Sequence, residues 1–230
     1  MQDRFQKDWD DSYGRRENTL FYPQEDVIRF VSKYLRRKVG PDTYDRDFAT
    51  PPVVLDLGCG AGRHLLYLYE NGFSPIGVEL SETACAQARA LLSARNVPEN
   101  AVRIIHGSAA DLPLDDGSVD HAISVSAIDS MPTNAAVAAV REVHRVLKPG
   151  GLFCVDLIDT EVMRAGSVDQ SHDQIVDETH EKGTVQSYYD RAKIARVFQH
   201  FHERGAYRIK HETRDGTLYA SRWHLVLERA

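Results

Sequence analysis

The sequence predicts an α/β fold, with a doubly wound and mainly parallel sheet that carries helices on both faces. Between residues 53 and 158, short apolar segments alternate with segments of helical periodicity. Strands that are separated by helices favour parallel pairing through right-handed crossovers. Nearer the C-terminus, the strand-like segments 207–212 and 218–227 flank Asp215 and Gly216. This pattern predicts an antiparallel hairpin on the edge of the sheet.

The individual elements follow from local signals. An apolar run that ends in glycines predicts the first buried strand, and similar runs predict four more. The predicted strands are 53–57, 75–80, 102–106, 119–125 and 152–158. Gly72 ends the first helix between them, Ser81 caps the second, and Pro149 follows the third. The predicted helices are 64–71, 82–95 and 133–147, with another at 190–201.

The length of the chain supports one domain over residues 1–230 with its own apolar core. Pro23 opens a helical pattern before the core, and a polar, acidic stretch without a clear period follows it. We therefore expect four parts in one domain. They are an N-terminal helical cap segment, the alternating core, a lid or insert, and a C-terminal helix with the hairpin, at residues 1–40, 50–158, 159–189 and 190–230.

Composition excludes several classes of protein. Lys and Arg number 28 against 34 Asp and Glu, and the net charge of −6 argues against a general nucleic-acid-binding surface. No apolar run approaches the roughly 18 residues of a spanning helix, and the charged start lacks the apolar core of a signal peptide. We expect a cytoplasmic protein without a membrane partner. Neither the three cysteines nor the ten histidines show metal-binding spacing, so no metal is expected.

A glycine-rich segment lies where the first strand turns into the first helix of the core. Gly58, Gly60 and Gly62 alternate there, which removes side chains where a ligand must lie against the backbone. Their G-x-G-x-G spacing differs from the G-x-G-x-x-G of dinucleotide sites. Asp56, just before them, would repel a phosphate but tolerate a ligand with a cationic end.

Two further acids follow the next two strands. Ligands of doubly wound sheets bind beyond the carboxyl ends of the strands, at the switch point. Glu79 can accept hydrogen bonds there from both hydroxyls of a ribose, and Leu80 can pack on an adenine. Asp111 can accept from an adenine amino group. The local alternatives are an acid at a helix start for Glu79 and a loop residue before Pro113 for Asp111.

These segments resemble the class I S-adenosylmethionine-dependent methyltransferases, in particular small-molecule methyltransferases with domains of types 11 and 25. The similar segments are VLDLGCGAGR, GVELS, GSAADLPLDDGSVD and REVHRVLKPGGLF, within residues 50–158. The resemblance implies a Rossmann-like sheet of seven mostly parallel strands whose last strand is antiparallel. It also implies an enzyme that uses S-adenosyl-L-methionine to methylate a small molecule by in-line displacement.

The same resemblance implies the cofactor contacts. The residues expected to form them are Asp56, Gly58, Cys59, Gly60, Gly62, Glu79, Leu80, Ala110, Asp111 and Ser124. In-line transfer from a sulfonium needs mainly positioning, and a base only if the acceptor must lose a proton early. A catalytic triad is therefore not expected.

The acceptor side is expected near the end of the fourth strand. Asp129 is the candidate catalytic residue, able to orient or deprotonate an acceptor, or else a helix-capping or loop acid. Many small-molecule relatives carry a His pair where this chain has Asp129 and Ser130. Trp9 and Tyr13 share one helical face, and Tyr188 follows the irregular stretch; each either faces the substrate or packs in the core. The residues expected to face the substrate are Trp9, Tyr13, Arg63, Asp129 and Tyr188.

Three other functions stay open. Methylation of a protein or an RNA would require a basic or extended groove. A non-catalytic module could bind the same cofactor. Nicotinamide-dependent oxidoreduction is disfavoured by the glycine spacing. The expected partner is a small-molecule methyl acceptor, bound by a monomer or a homodimer.

Overall fold

A seven-stranded sheet occupies the centre of the computed structural model, which describes residues 2–163 and 172–230. In chain order its strands are β1 (Val53–Leu57), β2 (Ser74–Glu79), β3 (Arg103–His106), β4 (Val119–Ser124), β5 (Leu147–Ile158), β6 (Phe201–Glu212) and β7 (Leu218–Arg229). Across the sheet they lie in the order β6, β7, β5, β4, β1, β2, β3. β7 runs antiparallel to both neighbours, and the other pairings are parallel. The predicted mixed sheet is confirmed.

Six α-helices of the described residues accompany the sheet. They are α1 (Gln2–Gly14), α2 (Glu25–Phe30), α3 (Arg63–Glu70), α4 (Glu82–Ala94), α5 (Thr133–Val146) and α6 (Arg191–Val197). A π-helix, Val31–Leu35, continues α2, and Ile128–Ser130 and Thr160–Val162 are short 3-10 helices. In the part of the chain that the structure describes, every helix is too short or too polar to cross a bilayer.

The two faces of the sheet bury separate apolar clusters, because successive side chains of a strand point to opposite faces. On one face, Val54 of β1 belongs to a cluster that includes Phe30 and Leu68 of α2 and α3. On the other, Leu55 belongs to a cluster that includes Val140 of α5. Helices on both faces are thus confirmed.

The largest differences from the predicted boundaries lie in β5, α6 and the hairpin. β5 begins at Leu147 rather than 152, because the 149–151 segment forms an irregularity in its pairing with β4 instead of ending a loop. α6 ends at Val197 rather than 201, because Phe201 already pairs with Arg229. The C-terminal hairpin is correspondingly longer than predicted.

The stretch predicted as a lid or insert contains a small antiparallel hairpin, Asp173–Ile175 with Val185–Ser187. Lys193 of α6 anchors it: the buried ammonium donates to Ser187 Oγ at 2.6 Å and to Asp173 Oδ1 at 3.3 Å. Residues 164–171 of this stretch lie outside the described residues. The division of the domain into four parts remains a prediction.

A close approach at Gly77 sets the distance between β2 and the segment that follows β1. A Cβ atom at this position would lie 2.6 Å from Cys59 Sγ and 2.8 Å from Leu65 Cδ1. Contacts this short force neighbouring atoms to move. Glycine in the middle of β2 therefore lets Cys59 and α3 pack directly on the sheet.

We expect Gly77→Ala to lower the free energy of unfolding by about 1–3 kcal/mol, the usual range for overpacking a core. Urea denaturation measures the change. Gly107→Ala is the matched control, since its Cβ would meet only Ile105 Cγ2, at an ordinary 3.8 Å. The control should stay within about 0.5 kcal/mol of the native protein. Equal losses in the two variants would contradict this account of the packing.

Candidate functional site

A cavity of about 500 Å³ opens beyond the carboxyl ends of β1, β2, β3 and β4. Its wall combines the glycine loop after β1, Glu79 and Leu80 after β2, and residues 107–110 after β3. α1 adds Trp9 and Tyr13. The cavity therefore lies where the sequence places it, at the switch point of the sheet.

The glycines of the loop allow other parts of the chain to come close. Gly60 has a φ of 52°, and a Cβ on it would lie 2.4 Å from the Tyr13 hydroxyl. Gly62, with a φ of 88°, faces Ala88 of α4, whose Cβ would be only 2.9 Å away. Gly58, Cys59 and Gly60 line the cavity, whereas Gly62 does not. Gly62 thus serves the packing of α3 against α4.

Glu79 ties the loop to the next helix. The carboxylate is 7% exposed; Oε2 accepts from the Gly60 N–H at 2.9 Å and Oε1 from the Ser81 N–H at 2.8 Å. Burial raises the pKa of Glu79, and the N–H donors offset part of that rise. Each oxygen has capacity for another hydrogen bond, so the carboxylate can also accept from a ligand in the cavity.

Asp56 is fully buried beneath the loop, and neither carboxylate oxygen has a hydrogen-bond partner among the described residues. Burial raises its pKa to about 7, Arg63 lowers it and Glu79 raises it further. His64 Nδ1 lies 3.9 Å from Oδ2, but burial lowers the pKa of this histidine to about 3, so the ring is neutral. Asp56 is therefore a buried acid without a cationic partner in contact, placed behind the cavity wall rather than in it.

The end of β3 contributes less than the sequence predicts. Ala110 lines the cavity, but Asp111 is exposed and outside the lining. Ser124, at the end of β4, is buried behind the wall and donates to the Leu57 carbonyl at 3.2 Å. Cys59 and Leu80 are in the lining, as expected. The structure thus places six of the ten predicted cofactor-side residues in the lining, but not Asp56, Gly62, Asp111 or Ser124.

Four of the five residues expected to face the substrate line the same cavity. Trp9 and Tyr13 lie side by side on α1, with ring centroids 6.3 Å apart. Arg63 and Asp129 are also in the lining. Tyr188 is buried outside it and donates to Gln186 Oε1 at 3.0 Å, so its neighbour Gln186 reaches the cavity instead.

Asp129 belongs to a charged group that the sequence analysis missed. Arg222 of β7 donates to Asp129 Oδ2, and its Nε donates to Asp156 Oδ2 at 2.7 Å. Burial raises the pKa of Asp129 to about 6, Arg222 lowers it and Asp156 raises it. One signal could have pointed to Arg222: Asp156 interrupts an apolar strand, and a buried acid requires a partner.

Other cavity residues also escaped the prediction, because they come from distant parts of the chain. They include Phe5, Leu20, Glu181 and Gln186. Within the described ranges, no three side chains of His, Cys, Asp or Glu are grouped as metal ligands would be.

Comparison with known proteins agrees with this geometry. Residues 54–151 match the family described as a methyltransferase domain. An uncharacterised methyltransferase of Synechocystis is 37% identical over 105 residues, which cover 45% of this chain and 46% of that protein. A probable S-adenosylmethionine-dependent methyltransferase of Mycolicibacterium smegmatis is 36% identical over 44% of this chain and 36% of its own length. The chain thus spans less than half the length of these curated relatives.

A solved structure extends the likeness of the fold to nearly the whole chain. The Burkholderia thailandensis 1,6-didemethyltoxoflavin-N1-methyltransferase, with bound 1,6-didemethyltoxoflavin and S-adenosylhomocysteine, superposes with a TM-score of 0.70. The match covers 99% of this chain and 88% of that one, at 17% identity. At this identity the likeness concerns the fold alone. Residues 54–151 thus match a methyltransferase domain, and nearly the whole chain shares its fold with a solved methyltransferase.

Proposed function

We propose that this protein is an enzyme that transfers the methyl group of S-adenosyl-L-methionine to a small molecule by in-line displacement. The observation that carries the proposal is the placement of Glu79. Its buried carboxylate lies at the switch point, lines the cavity and retains capacity to accept hydrogen bonds. A ribose with two adjacent hydroxyls supplies two donors for such a carboxylate.

The residues at the other side of the loop fit the amino-acid end of the cofactor. Asp56 has no partner among the described residues, and its charge favours an ammonium group above the loop. Arg63, on the cavity wall, offers a cation for the carboxylate of the same ligand. The amino-acid end of the cofactor is a zwitterion, and its two charges thus meet an acidic and a basic side chain of the protein. A phosphate carries only negative charge and would not match both.

The chain then has to orient the acceptor and keep water out. The bound sulfonium supplies a methyl group that its positive charge has already activated. Trp9 and Tyr13 of α1 cover the cavity, and the Glu181 N–H donates to Glu17 Oε2 at 3.0 Å, which connects the insert with the N-terminal segment. Holding the reacting atoms in line accounts for much of the rate enhancement in such displacements.

The size and charge of the site support a small acceptor. About 500 Å³ falls within the range of small-ligand sites. The net charge of −6 disfavours the extended basic groove that an RNA acceptor requires. The similar Burkholderia enzyme is named for a small heterocyclic acceptor, which favours the same class here.

The binding of S-adenosylhomocysteine tests the role of Glu79. We expect Glu79→Ala to weaken it by about 1–3 kcal/mol in calorimetry, because the ribose loses a buried charged acceptor. Glu82→Ala, which removes an exposed acid in the first turn of α4, is the control and should bind as tightly as the native protein. Unchanged affinity in the Glu79 variant would remove that residue from the site.

The buried acid Asp56 predicts a pH dependence of stability. Its folded-state pKa of about 7 exceeds the ordinary value of 3.8, so the folded state binds more protons between these limits. The free energy of unfolding should therefore fall as the pH rises from about 4 to 7. Asp56→Asn removes this slope and should be more stable than the native protein at pH 8, by about 1–4 kcal/mol in urea denaturation. The same variant should bind S-adenosylhomocysteine more weakly.

Asp120→Asn is the control, for which we expect the opposite change in the free energy of unfolding. Burial raises the pKa of Asp120, but Lys148 and the Val53 N–H outweigh it and lower the pKa overall. Its ionised form therefore stabilises the protein at neutral pH, and the substitution should destabilise it there. If Asp56→Asn kept the slope of the native protein, the buried, unpaired carboxylate could not be its source.

A further inference from the structure

One oxygen of Asp129, a residue of the cavity lining, is left without a hydrogen-bond partner among the described residues. The residue is fully buried yet lines the cavity. Oδ2 accepts from the Ile158 N–H at 2.9 Å and from the Arg222 guanidinium. Oδ1 has no hydrogen-bond partner in the described part of the chain. Because two donors hold Oδ2, the carboxylate is fixed and Oδ1 cannot exchange places with it.

The surroundings of this oxygen carry an excess of negative charge. Arg222 also donates through Nε to Asp156 Oδ2, at 2.7 Å. Asp156 in turn accepts from the Ser126 N–H at 2.7 Å, and Ser126 adopts a φ of 53°, in the left-handed region. One guanidinium is therefore shared by two buried carboxylates. A buried anion in this arrangement favours a hydrogen-bond donor beside it and disfavours a second anion.

We propose that the methyl acceptor donates a hydrogen bond to Asp129 Oδ1, and that it is a neutral molecule which reacts through an N–H or O–H group. This inference rests on the proposed methyl transfer. Arg222 and Asp156 act as positioning residues, which fix the carboxylate and leave one of its oxygens to the acceptor. The acceptor classes excluded are anions at this position and carbon nucleophiles without an acidic hydrogen.

The proton that the acceptor loses must also pass to another group, and the Asp129 carboxylate can take it. When the nitrogen or oxygen of the acceptor bonds to the methyl carbon, the bond between that carbon and sulfur breaks and its electron pair stays on sulfur. The N–H or O–H proton then passes to Asp129 Oδ1, and from there to solvent. At neutral pH the carboxylate is mostly ionised, as its pKa of about 6 requires.

Binding of the molecule that carries the N–H or O–H group should therefore weaken as the pH falls through about 6. Burial is the largest cause of the raised pKa of Asp129, and three charged or titratable groups face the residue. They are Arg222 on β7, Asp156 on β5 and Tyr189, whose raised pKa keeps its hydroxyl protonated.

A pair of matched fragments tests the proposal on protein saturated with S-adenosylhomocysteine. Pyrazole carries a neutral N–H, and 1-methylpyrazole lacks it. We expect pyrazole to bind about tenfold more tightly at pH 7.5 in an NMR titration, as a hydrogen bond to a charged group predicts. Benzoate, an anion, should not displace it. At pH 5 the preference for pyrazole should shrink.

The variant Asp129→Asn makes the test specific. The side-chain carbonyl takes over the two bonds of Oδ2, so the amide NH₂ occupies the place of Oδ1 and offers a donor instead of an acceptor. The preference for pyrazole should vanish while the affinity for S-adenosylhomocysteine stays the same, which shows that the protein is folded. Asp42→Asn, the same change at an exposed position outside the cavity, should keep the preference.

The outcomes separate this inference from the proposed function. Equal binding of the two fragments, no binding of either, or a preference that survives in Asp129→Asn would overturn the inference and leave the methyltransferase proposal standing. A native protein that does not bind S-adenosylhomocysteine would overturn both.

Discussion

The carboxylate of Glu79 holds together the three chain segments that make the cavity. Glu79 is the last residue of β2. Its carboxylate accepts hydrogen bonds from the Gly60 N–H, in the loop after β1, and from the Ser81 N–H, at the start of α4. Ser81 also caps α4 and donates to Asp10 of α1 at 2.6 Å. One buried acid therefore fixes the loop, a helix start and, through Ser81, the helix that covers the site. Glu79 also lines the cavity, so the group that organises the protein is also the one available to a ligand.

Two other buried acids differ from Glu79 because they have carboxylate oxygens without a hydrogen-bond partner among the described residues. Asp56 has no partner among the described residues, and Asp129 has partners at one oxygen alone. An unsatisfied buried charge opposes folding, and such groups are concentrated at functional sites. By contrast, Asp156 and Lys193 have protein partners and serve the packing of the sheet and the insert. We infer that the stability lost at Asp56 and Asp129 is recovered when ligands occupy the cavity.

Much of the cofactor side could be predicted from the sequence because its parts are local. A strand, the turn after it and the acid that ends the next strand are close along the chain, and parallel strands bring their ends to one edge. Asp111 shows the limit of that reasoning. The pattern locates the loop after β3 correctly, but it does not tell which side chain of that loop turns inward, and the structure turns Ala110 inward and Asp111 to solvent.

The acceptor side could not be predicted in the same way because its parts meet through long-range pairing. Arg222 reaches Asp129 because β7 pairs with β5 in a register that sets Arg222 opposite Ile158. A shift of one residue would turn its side chain to the other face. Neither the strand pattern nor the turn at Gly216 fixes that register. Tyr188 illustrates the same point, since the structure places Gln186 rather than Tyr188 at the cavity.

A crystal structure with S-adenosylhomocysteine tests the central claim most directly. The account predicts both ribose hydroxyls within hydrogen-bond distance of the Glu79 carboxylate, with the amino-acid end of the ligand over the loop above Asp56. A ligand bound elsewhere, or one whose ribose does not touch Glu79, would contradict it.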